Sequence, residues 1–225
     1  MVTSGDMQMN YRIIGSSSKG NCIVIENILM LDVGLSYIRI KEYLKNVKLI
    51  FISHQHQDHL LPSTIKKIAY NYPNIKFICG SREVVKKIFE CGIQKKNIYI
   101  LKERKKYDLG ALIVKLEPLY HDVDNYALKW QINGKKGIYI VDSCKADHIE
   151  AKNYDLILIE SNYNKEVLEE HIKECDNQDK LYYLNRVPNT HLEYGAATDF
   201  LLNNMGDNTV YERIHKSSYN YEEVD

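Results

Sequence analysis

Apolar positions fall in short runs of strand length rather than in long helical stripes. Residues 11–14, 22–26, 28–31 and 48–52 are dominated by aliphatic and β-branched side chains and read as strands, with Glu26-Asn27 suited to a hairpin turn between the second and third. Residues 36–44 predict a short helix. Residues 62–70 and 81–91 predict two more, on either side of a strand at 76–79, with Pro62 well placed at a helix start. From Asn97 the texture changes: 97–101, 111–116, 126–132 and 137–141 are strand-like, and Asn133-Gly134 supplies a hairpin turn. A buried strand at 155–159 and helices at 165–175 and 196–203 follow. Two batches of strands interleaved with helices predict two sheets packed together with helices outside, an α/β sandwich. No linker, repeat or low-complexity block divides the chain, so one domain over residues 10–225 is expected after a loose tail at residues 1–9.

Composition narrows the function classes. With 44% hydrophobic residues in 225, a sizeable core is available. Thirty Lys+Arg balance thirty Asp+Glu, so no bulk field attracts nucleic acid or anionic lipid, and any polyanion must be held by a local patch. The apolar runs are too short to span a bilayer and the N-terminus shows no apolar signal core, which argues against a membrane span and Sec export. Five scattered cysteines with no CxxC pair read as reduced thiols in a cytoplasm. Eighteen tyrosines among many Lys, Ile and Asn suit AT-rich codons, hence a low-GC bacterium or its phage.

Polar residues gather just past strand ends: His54, His121, Asp142 and Glu160 each follow a strand-like run. That edge is where α/β sheets build sites, because strand ends present side chains over a rigid support. The sharpest signal is Ser53-His54-Gln55-His56-Gln57-Asp58-His59, which holds three of only eight histidines. Alternate positions of an extended turn face one way, so His54, His56 and Asp58 can converge, while His59, at the start of the next helix, points to a neighbouring position. Two adjacent metal ions are implied. Imidazole with carboxylate and no thiolate suits zinc, manganese or iron and argues against a closed structural zinc site. His121, Asp142, His191 and His215 are available as further ligands, with Asp142 placed to bridge, whereas His148 and His171 sit among Lys and Glu and read as surface residues.

These residues resemble the metallo-β-lactamase superfamily: an HxHxDH box, an early Asp32, a lone His121, Asp142 after a strand and late histidines occur in that order over nearly the whole chain. The resemblance implies an αββα four-layer sandwich binding two divalent metal ions, Zn or Mn. It does not fix the substrate, since very different hydrolases share the box. Glu160-Ser161-Asn162-Tyr163, His191-Leu192-Glu193 and Ile214-His215-Lys216 look like the nuclease branch, ribonuclease Z and the compact WalJ-type DNA exonucleases, as does the opening Gly15-Ser16-Ser17-Ser18-Lys19-Gly20-Asn21-Cys22. In that branch an acid pairs with a histidine for proton transfer and the final histidine binds metal. The resemblance therefore implies His54, His56 and His121 on one ion, Asp58, His59 and His215 on the other, Asp142 between them, and Asp58, Glu160 and His191 in catalysis. The chain departs from the pattern in lacking the β-CASP insertion and the glycine-rich arm of ribonuclease Z, and residues 211–214 are more polar than the family's last strand. If His215 is not a ligand, His191 takes its place.

Basic residues gather at Lys95, Lys96, Lys102, Arg104, Lys105 and Lys106 with Tyr99 and Tyr107 interleaved. They read either as a solvated hairpin face or as phosphate contacts, and Arg186, near His191, has the same two readings. The expected function is a two-metal phosphodiesterase, a small DNA or RNA nuclease using a metal-bound hydroxide, whose partner is a nucleic-acid strand end or single strand, or else a small phosphodiester. The alternatives are hydrolysis of a lactone, thioester or β-lactam, a phosphodiesterase for a small cyclic nucleotide, and a non-catalytic binding module.

Overall fold

The structure, a computed structural model, describes residues 8–217. Its first half runs β1 (Tyr11–Gly15), β2 (Cys22–Ile25), β3 (Leu29–Leu31), α1 (Tyr37–Ile40), β4 (Leu49–Ile52), α2 (Pro62–Asn71), β5 (Lys76–Cys79), α3 (Arg82–Glu90) and β6 (Ile98–Ile100). The second half runs β7 (Lys106–Asp108), β8 (Ile113–Leu119), β9 (Asn125–Ile132), β10 (Lys135–Ile140), β11 (Leu156–Glu160), α4 (Lys165–Lys173), α5 (Gln178–Thr190), α6 (Tyr194–Asn204) and β12 (Val210–Ile214). Among the described residues the strands form two six-stranded sheets, ordered β1-β2-β3-β4-β5-β6 and β12-β11-β10-β9-β8-β7. Strands β3 to β6 are parallel, as are β10 to β12; hairpins build the rest. The two expected hairpin turns are present, with left-handed φ at Glu26 and Asn27 (50° and 56°) and at Asn133 and Gly134 (50° and 82°).

The period-two alternation of the strands sorts their side chains into layers. Ile23, Leu31 and Phe51 of the first sheet meet Leu116, Leu128, Trp130 and Tyr139 of the second in one core. Their neighbours Val24, Met30, Ile50 and Ile52 face Ile40, Ile65, Ile68, Val84 and Ile88 on the other side. Ile138, Ile140, Ile157 and Ile159 pack against Ala197, Phe200 and Leu201 of α6. Helix, sheet, sheet and helix thus form the expected four layers. All four residues of β4 are buried, as a parallel strand covered on both faces requires.

Several boundaries differ from the sequence reading. Residues 1–7 of the expected tail lie outside the described residues, as does Ser218, but Met9 is buried in the inter-sheet core, where its Sδ accepts from Trp130 Nε1 at 3.4 Å. A buried indole N–H needs an acceptor, and this one reaches back 121 residues to find it. Helix α1 is a single turn continued as turns rather than a helix to residue 44. His59 lies in a turn before an isolated bridge between Val33 and Leu60, and the helix starts only at Pro62. Helix α5 and the short β7 have no counterpart in the sequence reading. The polarity of β12 follows from its place at the edge of its sheet: Glu212 accepts from Tyr11 Oη at 2.6 Å, and Arg213 lies over the Tyr194 ring while reaching Thr198 Oγ1 at 2.7 Å. All five cysteines are free thiols, and among the described residues no helix is long and apolar enough to cross a membrane.

Candidate metal centre

The C-terminal ends of β3, β4, β10, β11 and β12 meet at one edge of the sandwich. They deliver Asp32, His54, Asp142, Glu160 and His215 there, while His56, Asp58 and His59 come from the turn after β4 and His121 from the segment after β8. Asp32, Asp142 and His215 take left-handed φ values of 57°, 50° and 53° one or two residues beyond a strand. That conformation turns the chain sharply, and Asp and His tolerate it better than β-branched residues do. At Asp142 the turn is braced by Asn125 Nδ2, which donates to the carbonyls of Val141 (2.8 Å) and Asp142 (2.6 Å).

Donor atoms converge in three overlapping groups, each spanning under 4.8 Å: His54, His56, His121 and Asp142; Asp58, His59, Asp142 and His215; Asp142, Glu160, His191 and His215. Asp142 belongs to all three. Its Oδ2 lies 3.3 Å from His54 Nε2 and 3.0 Å from His59 Nε2, and its Oδ1 lies 3.0 Å from His215 Nδ1. The Asp58 carboxylate stands with His59 and His215, at 3.2 and 3.5 Å, and not with His54 and His56 as simple alternation suggested.

The hydrogen bonds leave imidazole lone pairs turned inward. Ser53 Oγ donates to Asp32 Oδ2 at 2.9 Å, so it accepts from His54 Nδ1 at 3.0 Å and His54 Nε2 is left bare. His59 Nδ1 donates to Asp32 Oδ2 at 2.6 Å and His121 Nδ1 donates to the Thr190 carbonyl at 2.9 Å. His56 Nδ1 then faces His121 Nε2 at 3.2 Å, an approach that is attractive only with a proton or cation at hand. His54 Nε2, Asp142 Oδ1 and His215 Nε2 are buried without a hydrogen-bond partner. Orphaned buried donors and acceptors are costly, and three of them aimed into one centre are what divalent cations would satisfy. The residues present therefore fit divalent metal binding.

Charge follows the same geometry. Burial and the neighbouring His59 pull His54 down to about 4, leaving it a neutral ligand. Burial opposes protonation of His59 and His215 too, but Asp142 together with Asp32 at His59, and with Asp58 and Glu160 at His215, outweighs it and raises both well above the usual histidine range. Burial opposes ionisation of Asp142, yet His215 and His59 hold it well below the usual carboxylate range. Metal binding would displace the protons that these imidazoles carry beside the carboxylates.

Glu160 joins His191 to the centre, since its Oε1 also lies 3.1 Å from His215 Nδ1. Glu160 Oε1 accepts from His191 Nδ1 at 2.7 Å, and its Oε2 is fixed by the backbone N–H groups of Ser143 (2.9 Å) and Leu192 (3.2 Å). Burial lowers the His191 pKa, but the Glu160 charge and the bonds to Asp142 and Glu160 prevail and raise it to about 9.

The expected phosphate contacts divide. Arg186 on α5 reaches the centre's rim by pairing with Asp122, whose Oδ1 stands 3.1 Å from His121 Nε2 and 3.5 Å from His56 Nε2. Lys102, Arg104, Lys105 and Lys106 stay exposed, with Lys105 over the Tyr107 ring. Arg104 N donates to the Leu116 carbonyl at 2.7 Å, five residues before His121. At ~3.4 Å per strand residue that places Arg104 at most about 17 Å from His121 along the strand. His148 is exposed and bonds the Pro118 carbonyl, while His171 is half-buried on α4; neither joins the centre. Sequence reasoning missed Asn21, Ser53, Asp122, Asn125 and Tyr139, which hold the ligands. A cleft of about 510 Å³ lies at the opposite strand ends beside Lys48, Lys76 and Tyr99.

Gly34 is where the centre tolerates no side chain. A Cβ there would stand 1.6 Å from the Asp58 carbonyl oxygen and 2.8 Å from Asn21 N. Gly34→Ala should therefore cost ~1–3 kcal/mol or more of stability and displace Asp58. Thermal denaturation and metal content both unchanged would contradict this packing.

No protein-family model matches the chain, and no curated protein matches it in sequence. Among solved structures it is similar to the metallo-β-lactamase fold protein YhfI from Bacillus subtilis, with a TM-score of 0.70 and 15% identity over 95% of this chain and 88% of that one. It is similar to the short form of human tRNase Z, with a TM-score of 0.68 and 14% identity over 92% of each chain. Zn(2+)-bound PqqB from Methylobacterium extorquens is a third such structure, at 0.64 and 10% over 93% and 90%. The chain has the metallo-β-lactamase fold.

Proposed function

We propose that this chain is a phosphodiesterase dependent on two divalent ions, Zn or Mn, acting as a small nuclease on single strands or strand ends. The observation that carries the reading is the Glu160–His191 dyad beside the imidazole–carboxylate centre. An alkoxide leaving from phosphorus is poor and needs a proton, whereas a thioester's leaving group needs it far less. A buried carboxylate that holds the His191 imidazole by Nδ1, while also reaching His215 Nδ1 at 3.1 Å, suits delivery of that proton. The similarity to human tRNase Z, a nuclease by its name, supports the same class.

His54, His56 and His121 would hold one ion and Asp58, His59 and His215 the other, with Asp142 between them. Bound ions of this kind supply Lewis acidity, polarising phosphoryl oxygens and lowering the pKa of water. Asp58, its side chain 24% exposed against 3% for Asp142, is the carboxylate that would orient an incoming water. His191 carries a proton for the leaving oxygen on Nε2, while Glu160 holds Nδ1–H and so fixes which nitrogen faces the substrate. Arg186 and the exposed Lys102, Arg104, Lys105 and Lys106 would contact phosphates, the latter on a strand several nucleotides long. Such contacts favour a polymer over a small cyclic nucleotide.

The test is a panel: bis-p-nitrophenyl phosphate, single-stranded DNA and RNA, cyclic mono- and dinucleotides, nitrocefin and an acyl thioester, each with Mn²⁺ and with Zn²⁺. Diester turnover is expected, fastest on strands. Hydrolysis of nitrocefin or the thioester with no diester turned over would defeat the reading; cyclic nucleotides turning over faster than strands would keep the class and replace the substrate.

A further inference from the structure

The serine-rich loop between β1 and β2 is bound to the second half of the centre at three points. Asn21 N donates to the Asp58 carbonyl at 2.7 Å, Asn21 Nδ2 lies 2.9 Å from His59 Nε2, and His215 N donates to Ser16 Oγ at 2.8 Å. The loop also closes on itself, with Gly20 N donating to the Ser17 carbonyl at 2.9 Å and Lys19 N to Ser17 Oγ at 3.2 Å. Lys19, exposed at its tip, is therefore carried on backbone fixed relative to Asp58, His59 and His215. Across from it stands Arg39, whose Nη2 donates to the Ile14 carbonyl at 3.0 Å, which holds the guanidinium in place.

Between these two cations lies a cleft of about 460 Å³, lined also by Ser18, Ser36, Gln57 and Asp58. It adjoins the centre through Asp58, which lines the cleft and belongs to the donor group with His59 and His215. Its only acidic side chain is Asp58, whose Oδ2 is turned to His59 and His215, so the outer cleft presents positive charge with hydroxyl and amide groups. No aromatic side chain lines it, so it is suited to phosphate and ribose rather than to a base. A volume of this size takes a nucleotide, not a duplex.

We infer that this cleft is a phosphate subsite: Lys19 and Arg39 hold the phosphate flanking the scissile one and so position the nucleotide on the Asp58 side of the centre. The inference rests on the phosphodiesterase reading for the identity of its ligand. A fixed guanidinium and an ammonium on a fixed loop give charge-assisted contacts with little ordering cost, for which about a tenfold gain in affinity is expected.

The experiment compares the Kd of thymidine 3′,5′-bisphosphate with those of the 3′- and 5′-monophosphates on the metal-loaded full chain, by titration calorimetry. In the wild type the bisphosphate should bind about tenfold tighter than either monophosphate, because one phosphate takes the ions and the other the cleft. Lys19→Gln and Arg39→Gln should each bring that ratio close to one. No gap in the wild type, or the same gap in both variants, overturns the subsite. Since Arg39 also bonds the Ile14 carbonyl, Lys19→Gln alone decides if the other variant misfolds. A gap that behaves as expected in a protein that hydrolyses no diester would retain the subsite and remove the phosphodiesterase reading, so the two fail separately.

Discussion

An Asp142→Ala variant is expected to lose tight binding at both proposed ion positions, and with it the proposed phosphodiesterase turnover, while keeping its fold. The carboxylate is buried, and its Oδ2 stands between His54 Nε2 and His59 Nε2, one from each ligand group. Removing it deletes a ligand from both positions and leaves several imidazoles facing one another without a counter-charge. Outer-shell changes typically cost 10–100-fold in metal affinity, and loss of a shared ligand is expected to exceed ~100-fold. The apolar strands on either side do not depend on it, since Ile138, Tyr139 and Ile140 are buried among other residues. Metal content after dialysis against a weak chelator, read beside far-UV circular dichroism, is the measurement. Two tightly held ions surviving in a folded Asp142→Ala protein would remove the bridged arrangement.

Much of this centre was legible along the chain because its ligands announce themselves locally. His54 to His59 pack four of them into six residues, and His121, Asp142 and His215 each come soon after an apolar run whose strand character is plain. What holds the ligands was not legible. Tyr139 lies inside the apolar run at 137–141 and packs in the inter-sheet core, yet its hydroxyl donates to Asp32 Oδ2 at 2.9 Å, 107 residues away. No local pattern can show that a core tyrosine's oxygen has a task, because the task exists only once the sheets meet. Asp32 itself, recognisable by its place after a strand, gains its role of fixing the His59 tautomer only in three dimensions. Asn21 looked like part of an ordinary turn for the same reason.

The secondary structure that sequence reasoning lost was lost to polar composition. In α5 only Leu184, Val187 and Thr190 are buried, Pro188 interrupts the last turn, and Tyr182 and Tyr183 point outward, so the stripe that marks a helix is thin. The helix persists because it packs on α4 and Tyr163 in a small cluster of its own. The basic run at residues 102–106 was read either as a solvated hairpin face or as phosphate contacts; its residues are exposed, and Lys106 pairs with Lys115 of β8.

Sequence order left open which of the two late histidines holds metal; both reach Glu160 and Asp142, and burial with the remaining ring nitrogen is what tells them apart in the proposed roles. His215 is buried, its Nε2 has no hydrogen-bond partner, and it faces Asp58 within the group that contains His59. His191 is partly open to solvent, and its Nδ1–H is held by Glu160. His215→Ala should therefore lose one ion of two, whereas His191→Ala should keep both and lower kcat by ~10²–10⁴-fold, the usual worth of a general acid. The pH profile gives a second readout. An acid must be protonated to act, so the rate should fall as pH rises through the His191 pKa. Glu160 raises that value to about 9 in the metal-free centre, and bound cations disfavour the imidazolium. The basic limb of kcat should then lie at or below pH 9 in the wild type and vanish in His191→Ala, a change that a purely structural role would not produce. Loss of an ion in His191→Ala with full metal content in His215→Ala would exchange the two assignments, and it would leave the leaving oxygen without a proton donor among the residues placed here.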